Sequence, residues 1–273
     1  MGPVGDNGEC TEKNGGWTKA DSYICEKETS KSQTPIDLDP NLKLSEEAPI
    51  KLSNAAKYTF PAFSMKNNGH TFSMMPKNAQ DAHFSNNVHQ YNMYEFHFHW
   101  GPTDDCGSEH AFNGRSFSME LHLVHIRHEF GTDLVAALGD STGLAVIGLL
   151  IQAVPGFTEK CIMDDIAKHY IDNKEGLSTV GKEVEIEGSG LSFKSILEEK
   201  GHVYHYKGSL TTPPCSEAVA WYVRREAVQC SPETIAKFRT AITEKGSSKP
   251  LEMSFRRLQR LNDRVVTLVP LNE

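Results

Sequence analysis

Two short stretches decide the reading of this chain: Glu95-Phe96-His97-Phe98-His99-Trp100 and, about two dozen residues on, Glu120-Leu121-His122-Leu123-Val124-His125. Both read as β-strands, in which side chains alternate between two faces. His97 and His99 then point one way, with Tyr94, Phe96, Phe98 and Trp100 pointing the other. In the second stretch Glu120, His122, Val124 and Ile126 share a face, and Met119, Leu121, Leu123 and His125 share the opposite one. Two imidazoles from one strand and a third from its neighbour can converge on one metal ion. Three protein ligands leave a fourth tetrahedral position open, the layout of a catalytic rather than a structural zinc site.

A lone His-x-His is weak evidence, since two solvent-facing histidines on an edge strand look the same. The chain, however, carries 12 histidines, seven of them between His89 and His128. His122 sits on a strand whose other face is mostly apolar. Glu95 and Glu120 each lie two residues before a histidine and on its own face, where a carboxylate can accept an imidazole N–H and set the tautomer.

Working outward, strand-like runs alternate with turns at Tyr58–Met65, His70–Met74, Tyr94–Trp100, Ser116–His128, Leu144–Val154, His202–Lys207, Val219–Arg225 and Val265–Val269. Many short strands and few long helices predict a mainly β protein with a large sheet. Helical spacing predicts a helix over Thr158–Ile171, and Ser231-Pro232 opens a second one running to about Ile242. Residues 1–33 are polar and glycine-rich, without periodicity. No internal repeat or linker interrupts the rest.

The 273 residues are 38% hydrophobic with a formal net charge of −8. That acidity argues against nucleic acid or an anionic membrane as the main partner. No stretch approaches the roughly 20 apolar residues of a membrane span, and Leu144 to Val154 reads as a buried strand. The first residues show no signal-peptide pattern. The loop Gly208-Ser-Leu-Thr211-Thr212-Pro213-Pro214-Cys215 is either a plain turn or a rigid loop presenting hydroxyls; composition does not decide. Six cysteines, none in a CxxC pair, fit disulfides or free thiols equally.

Taken together, the motifs resemble the α-class carbonic anhydrases. The pieces are Ser32-Gln-Thr-Pro-Ile-Asp-Leu38, Asn68-Gly-His70, Phe96-His-Phe-His-Trp-Gly101, Gly107-Ser-Glu109-His110, Glu120-Leu-His-Leu-Val-His125, Leu144-Ala-Val-Ile-Gly148 and Ser209-Leu-Thr-Thr-Pro-Pro214, in the family's order and spacing. The resemblance runs from about residue 17, so it implies an irregular segment 1–16 and a single catalytic domain 17–273. It implies a large twisted, mostly antiparallel sheet with short peripheral helices.

It further implies zinc-dependent, reversible hydration of carbon dioxide to bicarbonate and a proton. His97, His99 and His122 fall on the family's zinc ligands, where zinc-bound water ionises near neutral pH, a magnitude carried over with the resemblance. Thr211 matches the threonine that orients the zinc hydroxide, Glu109 the glutamate that takes the threonine proton, and His70 the proton shuttle. Val124, Val146, Leu210, Val219 and Trp221, with Thr211 and Thr212, match the substrate wall. Asn68 and Ser73 match polar pocket positions, and sulfonamide anions are implied as inhibitors. Glu95, Glu120 and the Ser254 carbonyl match the outer partners of the three ligands.

Without the resemblance, Glu109 reads as a surface loop residue and His70 as an ordinary turn histidine. The family commonly has glutamine where this chain has Glu95, and its Asn-Trp-Arg stretch reads Ser254-Phe255-Arg256 here. Cys25 and Cys215 resemble the disulfide pair of secreted and membrane-anchored members, implying an extracellular or secretory setting. Cys10, Cys106, Cys161 and Cys230 have no family counterpart; a second disulfide, or an intermolecular bond through Cys106, stays open. A non-catalytic protein on the same fold is one rival reading, against which all three histidines, Thr211 and Glu109 weigh; a zinc hydrolase with another preferred substrate is the second.

Overall fold

The computed structural model describes residues 25, 30–45, 50, 57–86, 88–240 and 250–271. The segments that carry the site form one sheet. Its strands are β2 (Thr59–Asn67), β3 (Phe72–Pro76), β4 (His83–Ser85), β5 (Gln90–Trp100), β7 (Met119–Arg127), β8 (Leu144–Ala153), β9 (Glu183–Ser192), β10 (Gly201–Gly208), β11 (Val219–Arg224), β12 (Val228–Cys230) and β13 (Thr267–Leu271). They run in the order β13-β10-β11-β8-β7-β5-β3-β2-β9, with β12 against β8 and β4 against β5. β11 and β12 lie parallel to β8, and the other pairings are antiparallel. Two short strands, β1 (Asp37–Leu38) and β6 (Ala111–Phe112), pair separately. The helices are α1 (Leu134–Leu138), α2 (Ile162–Leu177), α3 (Lys194–Glu198) and α4 (Pro232–Ala236). The mainly β, largely antiparallel architecture expected from the sequence is what forms.

Alternation divides the apolar residues between two cores. Phe96, Phe98, Trp100, Leu121, Leu123, Ile147 and Tyr222 pack on one face. Val124, Ile126, Val146, Tyr206, Val219, Trp221 and Val223 pack on the other, which is the face of His97, His99 and His122. The central strand β8 is buried almost throughout, as its unbroken apolar run predicts.

The structure departs from the sequence expectations at several places. Tyr94 lies with the site-face core, opposite to the face expected from period two. The register of β5 against β7 shifts between Met93 and Glu95. A bulge inserts one residue, so Tyr94 and Glu95 no longer alternate. His70 lies outside β3, because the Asn68 Oδ1 accepts the backbone N–H of His70 at 2.9 Å and of Thr71 at 2.8 Å, removing both donors from any ladder. Gly69 takes φ +87° in that turn.

Strand β7 starts at Met119 rather than Ser116, since the Ser108 and Ser116 hydroxyls bond each other and the local backbone. Helix α2 starts at Ile162, four residues later than expected, where the Asp164 carboxylate caps the Cys161 N–H at 2.9 Å. Ser231 caps α4 as expected, but the α-helix gives way to a 3₁₀ turn over Lys237–Thr240; residues 241 and 242 lie outside the described residues. Strand β9 escaped the sequence reading, its Val184 and Ile186 hidden among glutamates.

Cys25 and Cys215 form a disulfide with Cα atoms 5.3 Å apart. Cys161 and Cys230 form a second, tying the start of α2 to β12. Cys106 is disulfide-bonded as well. Residues 1–16 lie outside the described residues. No helix among the described residues is long and apolar enough to cross a membrane.

His125 faces the first core as expected, its Nε2 hydrogen-bonded to the Tyr58 hydroxyl at 2.8 Å and its ring edge-on to Phe84. Burial pushes its pKa down to about 3. The unfolded chain takes up this proton near pH 6.5 and the folded one only near 3, so the stability it confers is complete above about pH 6.5 and lost as pH falls toward 3. One such group contributes a slope of about 1.4 kcal/mol per pH unit. Urea unfolding at pH 7 and pH 5 is expected to show a smaller pH loss in His125→Gln than in the wild type; equal losses would refute this.

Candidate metal centre

Strand register builds the centre. His97 of β5 lies directly opposite His122 of β7, and His99 lies opposite Glu120. Their rings converge, with centroids 5.1 Å (His97–His99), 5.0 Å (His97–His122) and 4.7 Å (His99–His122) apart. One nitrogen of each ring lies within 4.8 Å of the others.

The remaining nitrogens are all engaged. His97 Nδ1 lies 2.7 Å from Glu95 Oε1, His99 Nδ1 2.5 Å from the Ser254 carbonyl, and His122 Nε2 2.8 Å from Glu120 Oε1. Carboxylates and carbonyls only accept, so each of these nitrogens carries the proton. In the neutral rings, the form that binds a metal, His97 Nε2, His99 Nε2 and His122 Nδ1 are then the bare lone pairs. His122 Nδ1 faces His97 Nε2 at 3.2 Å, close enough for the two nitrogens to share one proton or to hold one cation between them. His99 Nε2 and Glu109 Oε2 are buried, 3.4 Å apart, and neither has a hydrogen-bond partner. Three imidazole nitrogens brought this close together suit Zn²⁺, which takes nitrogen ligands tetrahedrally. A second cluster, His110, Glu120 and His122, is by contrast a hydrogen-bonded set whose facing nitrogens carry protons.

The outer carboxylates differ in character. Burial alone would raise Glu95, but the charge and hydrogen bond of His97, with the Ser73 hydroxyl at 2.5 Å, outweigh it and lower its pKa. His97 is raised in turn: burial opposes its charge, and Glu95 overcomes that. Burial lowers His99 well below the usual histidine range, and His122 to about 4. Glu120 is held well below its ordinary value, since His110 and His122 outweigh burial. Glu109 is pushed up to about 8 by burial and then by the Glu120 charge; a dication among the histidines would oppose this.

Thr211 is buried beside this set, and its hydroxyl reaches the Glu109 carboxylate. Glu109 Oε1 also accepts the Arg256 N–H at 2.8 Å. Far from being a surface loop residue, Glu109 is 3% exposed. The cis peptide Pro213-Pro214 and the Cys25–Cys215 disulfide follow Thr211 directly.

The chain belongs to the eukaryotic-type carbonic anhydrases. The sequence profile described as eukaryotic-type carbonic anhydrase matches residues 12–270. Human carbonic anhydrase 12 is 34% identical over 244 residues, covering 86% of this chain and 65% of the relative. Carbonic anhydrase 6 of the dog is 33% identical over 240 residues, covering 86% of this chain and 71% of the relative. The chain thus spans about two thirds of the length of these relatives.

The other positions singled out in the sequence fall as follows. Register aligns Val124 of β7, Val146 of β8 and Trp221 of β11 in one row beside the histidine row. Val219 is buried in the same core, and Leu210 is partly buried against it. Thr212 is half-buried. Ser73 lies opposite His97 and donates to Glu95, so it holds that carboxylate rather than merely lining a pocket. Asn68 is exposed and its carbonyl oxygen shapes the turn that carries His70, which is half-buried.

Sequence reasoning missed His110, Tyr206, Thr34 and Arg256. His110 Nδ1 lies 2.7 Å from Glu120 Oε1, and Arg256 ties the Gln33 and Thr34 segment down at 2.7 and 2.8 Å. His110 stands inside a quoted motif, but nothing in its spacing pairs it with Glu120.

Zinc at about a hundred times its dissociation constant should stabilise the folded chain by about 2.7 kcal/mol. Thermal denaturation of metal-stripped protein is expected to shift upward on adding zinc, and His99→Ala to lose most of that shift. A variant that keeps the full shift would exclude this centre.

Proposed function

We propose that the chain reversibly hydrates carbon dioxide to bicarbonate and a proton, with Zn²⁺ held by His97, His99 and His122 and residues 17–273 acting as one catalytic domain. The observation that carries this reading is the convergence of three bare imidazole nitrogens beside the Thr211–Glu109 pair, in a chain of this family. Zinc bound there supplies a water-derived nucleophile near neutral pH.

The residues do the rest. A hydroxyl has one proton; when Thr211 gives it to Glu109, its oxygen can only accept from the group that faces it. That orients the nucleophile and disfavours an anion that has no proton to give. Carbon dioxide is apolar, and the row Val124, Val146 and Trp221, with Val219, Leu210 and the Thr211–Thr212 backbone, offers it a dry wall. His70, held by the Asn68 turn at the edge of β3, has the chemistry to carry the product proton to solvent. The disulfides fit an oxidising compartment, which supports an extracellular or secretory setting.

Stopped-flow CO₂ hydration should show a rate that a chelator removes and zinc restores; no chelator-sensitive rate would defeat the enzyme reading. Glu95 offers a finer test. An ionised carboxylate on His97 donates more charge through the imidazole than an amide would, raising the pH at which the nucleophile forms. Glu95→Gln is expected to move the pH–rate midpoint downward, and an unchanged profile would remove that role.

A further inference from the structure

His122 can hold a cation only through the nitrogen that lacks a proton, and a chain of hydrogen bonds behind it governs which nitrogen that is. Glu120 is wholly buried and accepts four N–H groups. Its Oε2 takes the backbone N–H of Glu109 at 3.0 Å and of His110 at 2.8 Å. Its Oε1 takes His122 Nε2 at 2.8 Å and His110 Nδ1 at 2.7 Å. On the far side of His110, Nε2 meets the Tyr206 hydroxyl at 2.6 Å. Thr34 Oγ1 lies 3.3 Å from that hydroxyl and already accepts the Ser209 N–H at 3.0 Å.

We infer that Tyr206 is a positioning residue for His122: by donating its proton to His110 Nε2 rather than to Thr34 Oγ1, it sets the direction of the hydrogen bonds that run from His110 through Glu120 to the metal centre. The hydroxyl has a single proton, and the nitrogen at 2.6 Å is a closer acceptor than the oxygen at 3.3 Å. His110 Nε2 is then filled, so its proton sits on Nδ1 and points at Glu120. Glu120, facing four donors, stays an acceptor-only carboxylate. The proton it shares with His122 therefore belongs to His122 Nε2, and Nδ1 is left bare toward His97. Without the Tyr206 proton, His110 can carry its own on Nε2. Its Nδ1 lone pair then faces Glu120 Oε1 and repels it, so the carboxylate loses one donor, its hold on the His122 Nε2 proton loosens, and the ring can exchange that proton to Nδ1, where the cation belongs.

The surroundings hold this chain in line. The Trp221 ring packs against His110 and His122, each centroid 4.9 Å away, and stacks on Tyr206 at 6.4 Å. A Cβ at Gly208 would come within 2.2 Å of Thr34 Oγ1 and 2.9 Å of Tyr206, and one at Gly148 within 3.2 Å of Glu120 Oε1. Both glycines make room for the chain. Tyr204, two residues earlier on β10, is an internal control, since it is buried and its hydroxyl has no hydrogen-bond partner.

The inference rests on His122 being a ligand, but its first test needs no metal. Long-range ¹H–¹⁵N NMR of the metal-free protein is expected to find His122 protonated on Nε2 and His110 on Nδ1. In Tyr206→Phe these tautomers should mix, and zinc should leave to a chelator about tenfold faster or more, the scale of lost outer-shell partners. Tyr204→Phe should change neither. A folded Tyr206→Phe with unchanged tautomers and zinc release within about twofold of wild type would overturn the role. So would a wild-type His122 protonated on Nδ1, a result available even if Tyr206→Phe fails to fold. Failure of zinc to bind the wild type would instead count against the proposed function, leaving the tautomers to decide this inference.

Discussion

Glu120 is a carboxylate sealed inside the sheet, and the arrangement around the candidate metal centre follows from satisfying it. An unpaired buried charge costs far more than a small protein can spare, so four N–H donors must reach it. Two come from the backbone at Glu109 and His110, which brings that loop down onto the sheet. Two come from His110 and His122, which orients both rings. Once that loop is anchored, the Glu109 side chain is delivered to the edge of the histidine cluster. There it meets Thr211 and the backbone of Arg256.

The sheet supplies what the carboxylate alone cannot. Antiparallel pairing of β5 and β7 sets His97 against His122, and the neighbouring register carries the row from Ser73 across to Gly148 and Val223. Glycine at position 148 fits this row, because a Cβ there would crowd Glu120. The adjacent row of Val124, Val146 and Trp221 gives the apolar wall. Polar and dry surfaces thus meet along one line of the sheet, held by backbone hydrogen bonds rather than by loops.

Much of this was legible in the linear sequence, because period-two alternation is a strong signal in a long buried strand. His97, His99 and His122 fell on one face by counting alone, and the apolar core face was equally plain. Counting failed at Tyr94, where a bulge adds one residue and reverses its face. It also failed for His70, since the Asn68 side chain captures the amides that a strand would need. The family resemblance, not spacing, pointed to Glu109, Thr211 and the Cys25–Cys215 pair. Cys161 and Cys230 were left open because neither pattern nor resemblance links residues 69 positions apart.

By itself the sequence determined the β architecture, the histidine face and, through its ordered motifs, the family. These are properties of local periodicity and of short contiguous motifs. The tertiary structure alone decided which nitrogen of each histidine is bare, because that depends on acceptors brought from Glu95, Glu120 and the carbonyl of Ser254, the last of these 155 residues from its histidine. It also decided that Ser73 holds Glu95, and that Tyr206 and Thr34 stand behind His110. A proton's position on an imidazole is set by the group facing it across space, and no one-dimensional pattern records that neighbour.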